Sequence, residues 1–320
     1  MHRSRDHDAT IRADCVHELG VWFNKHPSYF LESGFLPYLG KTLADQNTAV
    51  RLEAVKAILA LYSKKDYIVA VNHFTQTFKP RLVEMAISDI DLSVRLGVVQ
   101  VLLSIDQLGL LEDEEREQLC LLVFGREAKI REAVAPFVQL TWAEEVDRHL
   151  VGRPLTEENA DKEKQRAGAK CLAQLLIKWS KSLVESEPSR SAQNDDSDDE
   201  GEGRVKDRLL REPGIDKVNH DRIGLAVEAL WEEMEFLRKW NGLLTLLLMD
   251  HTTGVGLSEG GNATAKGKKR RTGLRKEDSI VEPVWRLNDA EEEVLLQVLI
   301  SALRHATLDA SAHKKVRLVD

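Results

Sequence analysis

The feature that most constrains the fold is a short pattern that recurs four times within the first 131 residues, an apolar β-branched residue followed at once by arginine. It occurs as Asp8-Ala-Thr-Ile11-Arg12, as Val50-Arg51 after Asp45, as Asp91-Leu-Ser-Val94-Arg95, and more loosely as Lys129-Ile130-Arg131. Successive arginines are 39, 44 and 36 residues apart. The positions after each arginine repeat as well. Three residues on stand Cys15, Ala54, Val98 and Val134; four on, Val16, Val55, Val99 and Ala135; seven on, Leu19, Ile58, Leu102 and Val138. Apolar residues at these offsets share one face of an α-helix, so one buried stripe is written four times.

A period of roughly 40 residues is that of stacked two-helix repeats. Alternating strand patterns are nearly absent, and the chain reads as all-α, a HEAT-type helical-repeat solenoid with disordered acidic and basic inserts. In such an array an Asp at the start of a helix accepts from free backbone N–H groups. The arginine beyond the first buried position can lean over the neighbouring repeat to reach that repeat's Asp. Arg12, Arg51, Arg95 and Arg131 are therefore expected to form a structural ladder; a phosphate-binding row is the alternative.

Other helices are expected from about Ser33, with Ser33 as cap and Pro37 in the first turn, and over 66–74, 80–87, 112–124 and 157–184. The boundaries this predicts are a solenoid over 1–185, an acidic disordered linker over 186–221, a helical segment over 222–252, a disordered basic loop over 253–285, a helix over 286–310 and a tail over 311–320. In the linker, Ser197 precedes Asp-Asp-Glu and resembles a site for an acid-directed kinase. The loop carries Lys268, Lys269, Arg270 and Arg271, a run that suits the acidic groove of an importin and equally suits DNA phosphates. Lys64-Lys65 and Lys79-Pro-Arg81 lie at expected helix junctions and can form a small basic patch for weak, non-specific DNA contact. The overall net charge of -8 gives no independent support for nucleic-acid binding.

No stretch approaches the roughly 20 apolar residues that a membrane helix needs, and no membrane partner is expected. Cys15, Cys120 and Cys171 show no C-x-x-C spacing, which fits a reducing compartment. No catalytic constellation is found. His17-Glu18 lacks the second histidine of a zinc motif, Gly254-Val-Gly256 lacks the third glycine of a dinucleotide loop, and there is no P-loop. The chain is read as no enzyme, with no cofactor and no metal.

The quoted repeats carry a resemblance. HRSRD (2–6), IRADCVHELGVWF (11–23), FLPYLGKTLAD (35–45), VRLEAVKAILALY (50–62) and FKPRLVEMAISDIDLSVR (78–95) closely resemble the conserved segment of the stromalin, or stromal antigen, family, the HEAT-repeat subunits of cohesin. The match is dense over about the first 140 residues. The acidic linker, the Trp-containing segment and the helix near 292–296 are in keeping with the fungal branch, and since family members are longer at both ends the expectation is a partial chain, with a misplaced start codon or a degenerate copy as the alternatives.

The resemblance implies a hook-shaped solenoid that binds the kleisin subunit of cohesin and, through it, the coiled-coil ATPase subunits. It also implies contact with DNA, recruitment of loading and release regulators, sister-chromatid cohesion in chromosome segregation through the cell cycle, and residence on chromatin in the nucleus. The family has a surface aromatic pocket for short peptide motifs. By position it should include Phe78, with Lys79 and Arg81 beside it. Ser4 and Lys41 stand where relatives carry aromatic residues, which removes two apolar walls. The alternative is a HEAT-repeat scaffold or transport adaptor unrelated to cohesin.

Overall fold

The computed structural model describes residues 2–31, 34–152, 157–185, 215–249, 251 and 283–316. Among them the regular structure is helical throughout, with no strand. The elements are α1 (Ala9–Lys25), α2 (Pro27–Phe30), α3 (Leu36–Thr42), α4 (Thr48–Tyr62), α5 (Ile68–Ser88), α6 (Leu92–Gln107), α7 (Asp113–Cys120), α8 (Ala128–Leu150), α9 (Glu157–Glu185), α10 (Ile215–Leu230), α11 (Glu235–Arg238), α12 (Asn241–Leu247) and α13 (Asp289–Val316). The linker with Ser197, the basic loop with Lys268 to Arg271, and Ser33 lie outside the described residues.

Two compact units are present. The first comprises Met1–Thr141 and Ser182–Met234, the second Trp142–Lys181 and Glu235–Asp320. In the first unit α1, α4 and α6 pack side by side as a row, with α3 and α5 alongside. The stripe read from the sequence is its core, since every one of those twelve positions is buried except the half-exposed Cys15. Close approach within the row depends on small residues. A Cβ at Gly20 of α1 would sit 2.8 Å from Ala57 of α4, and one at Gly97 of α6 would sit 2.8 Å from Val55 of α4.

Helix starts follow one rule along the row. Asp8, Asn47 and Asp91 are the N-caps of α1, α4 and α6, and their side chains accept from the N–H groups of Thr10, Ala49 and Ser93 at 2.8, 2.9 and 2.8 Å. The cap of α4 is thus Asn47 and not Asp45. Helix α3 starts from Phe35 with no side-chain cap, and its Pro37 takes the first turn.

The two helices expected over 66–74 and 80–87 are one, because α5 runs through Pro80. Proline costs about 3 kcal/mol in a helix interior. Pro80 itself is exposed, while Val71, Phe74, Thr75, Leu82, Val83, Met85 and Ala86 are all buried on one side, and burial at about 1.5–3 kcal/mol for each large side chain outweighs that cost. The helical segment expected over 222–252 is broken into α10, α11 and α12, the first of which begins at Ile215, and the last helix, expected over 286–310, runs from Asp289 to Val316.

The second unit is built on α9. Gly168 leaves room for the rings of Trp142 and Phe236, and Trp142 donates from Nε1 to the Gly168 carbonyl at 2.8 Å. The buried Trp285 donates to Glu163, and Lys170 donates to the carbonyls of Val284 and Arg286, both at 2.7 Å. Asn288 and Glu291 cap α13 reciprocally.

Candidate functional site

The arginines lie along the starts of the row helices. Arg12 donates through Nε and Nη2 to both carboxylate oxygens of Asp45 at 2.8 Å, and Arg51 does the same to Asp89 at 2.8 Å. Each also donates from Nη1 to backbone carbonyls of the turn before its own helix, Arg12 to Asp6 and His7, Arg51 to Asp45 and Gln46. In both pairs the acceptor is the residue six before the next arginine. That carboxylate is fixed by a second bond, from Asn47 N–H to Asp45 and from Asp91 N–H to Asp89, both at 2.9 Å. The Arg12 guanidinium holds the Asp45 carboxyl below its usual range.

Arg95 breaks the series, and the sequence gives the reason. Six residues before Arg131 stands Gly125, which has no carboxylate to offer. Arg95 instead donates through Nε to the Ala86 carbonyl at 2.9 Å, and burial lowers its pKa. Arg131 keeps the backbone half of the arrangement, donating to the carbonyls of Gly125 and Arg126, and reaches Glu228 at 3.4 Å. All four guanidiniums are at least largely buried and turned to the protein, so they do not present a phosphate-binding row.

The pair Lys79 and Arg81 divides. Lys79 is 3 % exposed; burial opposes its charge, but Glu115 at 2.7 Å and Glu112 at 3.2 Å outweigh this and raise its pKa. It also donates to the Leu110 carbonyl, and so braces α5 against the start of α7 instead of facing a ligand. Its placement as a pocket or DNA contact is corrected on that ground. Arg81 is partly exposed and pairs with Glu84 at 2.8 Å. Lys64 and Lys65 are exposed, Lys64 lying over the Tyr67 ring at 5.1 Å.

Phe78 is half-buried, packed on Phe74 with ring centroids 4.9 Å apart. It lies so close to α3 that a Cβ at Gly40 would be 2.3 Å from its ring. Lys41 is exposed beside this contact, its cation 6.0 Å from the Tyr38 ring. Ser4 belongs to a different feature, an open groove of about 330 Å³ on the outer side of α1, lined by Ile11, Cys15, Trp22 and Tyr38 among others but not by Phe78. The structure therefore does not gather Ser4, Phe78 and Lys79 into one pocket.

Burial pushes the Cys120 and Cys171 thiols up to about 12, which suits packing and not nucleophilic chemistry. Among the described residues no group of three His, Cys, Asp or Glu side chains could hold a metal ion, and no helix is long and apolar enough to cross a membrane. The signal missed in the sequence is Asp6, Asp45 and Asp89, each six before an arginine and two before a helix cap; Asp-x-Asp/Asn-x-x-Ile/Val-Arg occurs three times.

Residues 5–79, which hold the first rung of this ladder and the Gly40–Phe78 contact, match the stromalin conservative domain. The cohesin subunit psc3 of Schizosaccharomyces pombe is 38 % identical over 135 residues, 42 % of this chain and 14 % of that protein. Sister-chromatid cohesion protein 3 of Arabidopsis thaliana is 27 % identical over 248 residues, and human cohesin subunit SA-3 is 26 % identical over 312 residues, 78 % and 96 % of this chain. The chain spans 19 % of the length of each of those two. Its fold matches a solved cohesin subunit Scc3 from Z. rouxii with a TM-score of 0.64 at 22 % identity, over 96 % of this chain and 30 % of that one. The conserved segment and the helical-repeat fold together mark this chain as similar to the stromalin-type subunits, with the stromalin conservative domain matched over residues 5–79.

Proposed function

We propose that this chain is a non-enzymatic subunit of the cohesin complex that holds the kleisin and lies on chromatin DNA during sister-chromatid cohesion in the nucleus. The observation that carries the reading is the match over residues 5–79, which spans α1 to α4 and the first half of α5. The coiled-coil ATPase subunits are reached through the kleisin. DNA contact is weak and non-specific, and the exposed Lys64 and Lys65 with the partly exposed Arg81 are the cations for it. Lys268, Lys269, Arg270 and Arg271 serve importin recognition, and Ser197 is a phosphorylation site in the acidic run.

Affinity purification of the tagged chain from nuclease-treated nuclei tests this. Recovery of the kleisin and the ATPase pair is expected. A soluble, folded chain that brings down importins and no kleisin would sink the proposal.

A further inference from the structure

The four arginines differ in what their guanidiniums reach. In Arg12 and Arg51 a carboxylate takes Nε and Nη2, and backbone carbonyls take Nη1. Arg131 gives Nη1 to carbonyls and Nη2 to Glu228. Arg95 donates from Nε alone, to the Ala86 carbonyl. Among the described residues no oxygen accepts from its Nη1 or Nη2, although the residue is only 7 % exposed. A guanidinium keeps its proton at any ordinary pH, so it cannot relieve its burial by becoming neutral. Two nitrogens rich in N–H groups are thus short of acceptors where an unpaired charge is costly. Neither Nη atom is fully enclosed, in contrast to Nε of Arg81 and Nε of Arg131, so both can be reached from solvent.

The turn that supplies the carboxylate at the other two junctions offers none to Arg95. It holds Gly125 at the matching position and Glu127 two residues on. Glu127 is exposed, and its charge acts on Arg95 without a hydrogen bond between them. The backbone of the turn would accept a side chain. Gly125 has φ -69° and ψ 166°, an extended conformation open to any residue. Its N–H meets the Leu122 carbonyl at 3.0 Å, as the N–H of Asp45 meets that of Thr42 at 3.1 Å.

We propose that Arg95 is a binding site for one carboxylate, taken end-on by Nη1 and Nη2. The group comes from a small free acid or from an Asp or Glu side chain of a partner segment. The matching arginines at 12 and 51 each hold a carboxylate through two N–H donors, and the planar fork of a guanidinium fits its two oxygens. A single cation with the charges of Glu127 and Asp89 acting on it suits one negative charge better than the double charge of a phosphate. The inference goes beyond the cohesin reading and does not depend on it.

The arginine Nε–Hε signals of the isotope-labelled full chain report on this, with that of Arg95 identified by its loss in Arg95→Met. Two probes are titrated against chloride at constant ionic strength. One is acetate, and the other is a peptide capped at both ends that copies residues 87–90, Ile-Ser-Asp-Ile, and carries one carboxylate. The Arg95 signal should shift saturably while those of Arg12 and Arg51 stay in place. Tighter binding of the peptide would assign the site to a partner's side chain, and equal or tighter binding of acetate to a small acid. Glu127→Gln should strengthen binding by removing a competing charge. Gly125→Asp lets the chain supply the carboxylate itself and should weaken binding about tenfold or more. Thermal melts show whether each variant folds, and the Glu127→Gln result decides should Gly125→Asp not fold. Absence of a saturable shift would overturn the proposal, as would an equal response to chloride. So would tighter binding of inorganic phosphate than of acetate, or weaker binding in Glu127→Gln.

Discussion

Arg51 and Arg95 hold matching positions in successive repeats and have different surroundings, which makes them a matched pair for measurement. Removing the Arg51 guanidinium leaves Asp89, 4 % exposed at its side chain, as a buried charge with its main partner gone. Arg51→Met should therefore cost about 1–3 kcal/mol in denaturant unfolding. Arg95→Met strands only the Ala86 carbonyl and should cost under about 1 kcal/mol. Equal losses would mean that the ion pair contributes nothing beyond packing. Asp45 adds a pH dependence. Arg12 sets its folded pKa below the unfolded value of about 3.9. The pair's contribution is thus complete above about pH 4 and is lost as the pH falls through the folded value. Asp45→Asn should flatten this acid limb of the stability curve, and an unchanged limb would refute the assignment. The arginines are legible in the sequence because their spacing is regular. Their partners are not, since two acidic or amide residues stand two apart before each helix and only geometry separates cap from rung. Lys79 misleads for a related reason, as a lysine beside an exposed proline has the sequence signature of a surface.

At the scale of the elements, apolar periodicity locates the row helices, and caps locate their starts to within a residue or two. It fails at Pro80, where a local breaker rule competes with a long buried face and loses, and near residues 231–240, where two tryptophans in a leucine-rich run hide the breaks between short helices. The α3–α5 contact gives a direct test of packing. Gly40→Ala places a methyl group within 2.3 Å of the Phe78 ring and should destabilise by about 1–3 kcal/mol. Adding Phe78→Leu should return part of that loss, so the double-mutant cycle should be non-additive. Additive losses would place the Phe78 ring elsewhere. The same contact explains why the peptide pocket is hard to place from sequence. Phe78 and Lys79 are adjacent in the chain, yet Phe78 leans on α3 and Lys79 turns to α7, while Ser4 lies along α1.

For the whole molecule, a row in which each helix touches mainly its neighbours has stability that is a sum of local terms and junctions. The Asp45 and Asp89 rungs make two of those junctions cooperative, because opening one strands a buried charge on each side. Gly125 interrupts that coupling with a residue that has no side chain. The molecule thereby contains a fault line, and its slow breathing should begin there. In native-state hydrogen exchange, amides of α4 and α6 should open together in one cooperative unit, while those from 125 to 135 should open at lower free energy and independently. A single exchange class across both would show that packing alone couples them. A missing carboxylate at one position would then set not only which arginine lacks a partner but the order in which the chain comes apart under heat, denaturant or mechanical load.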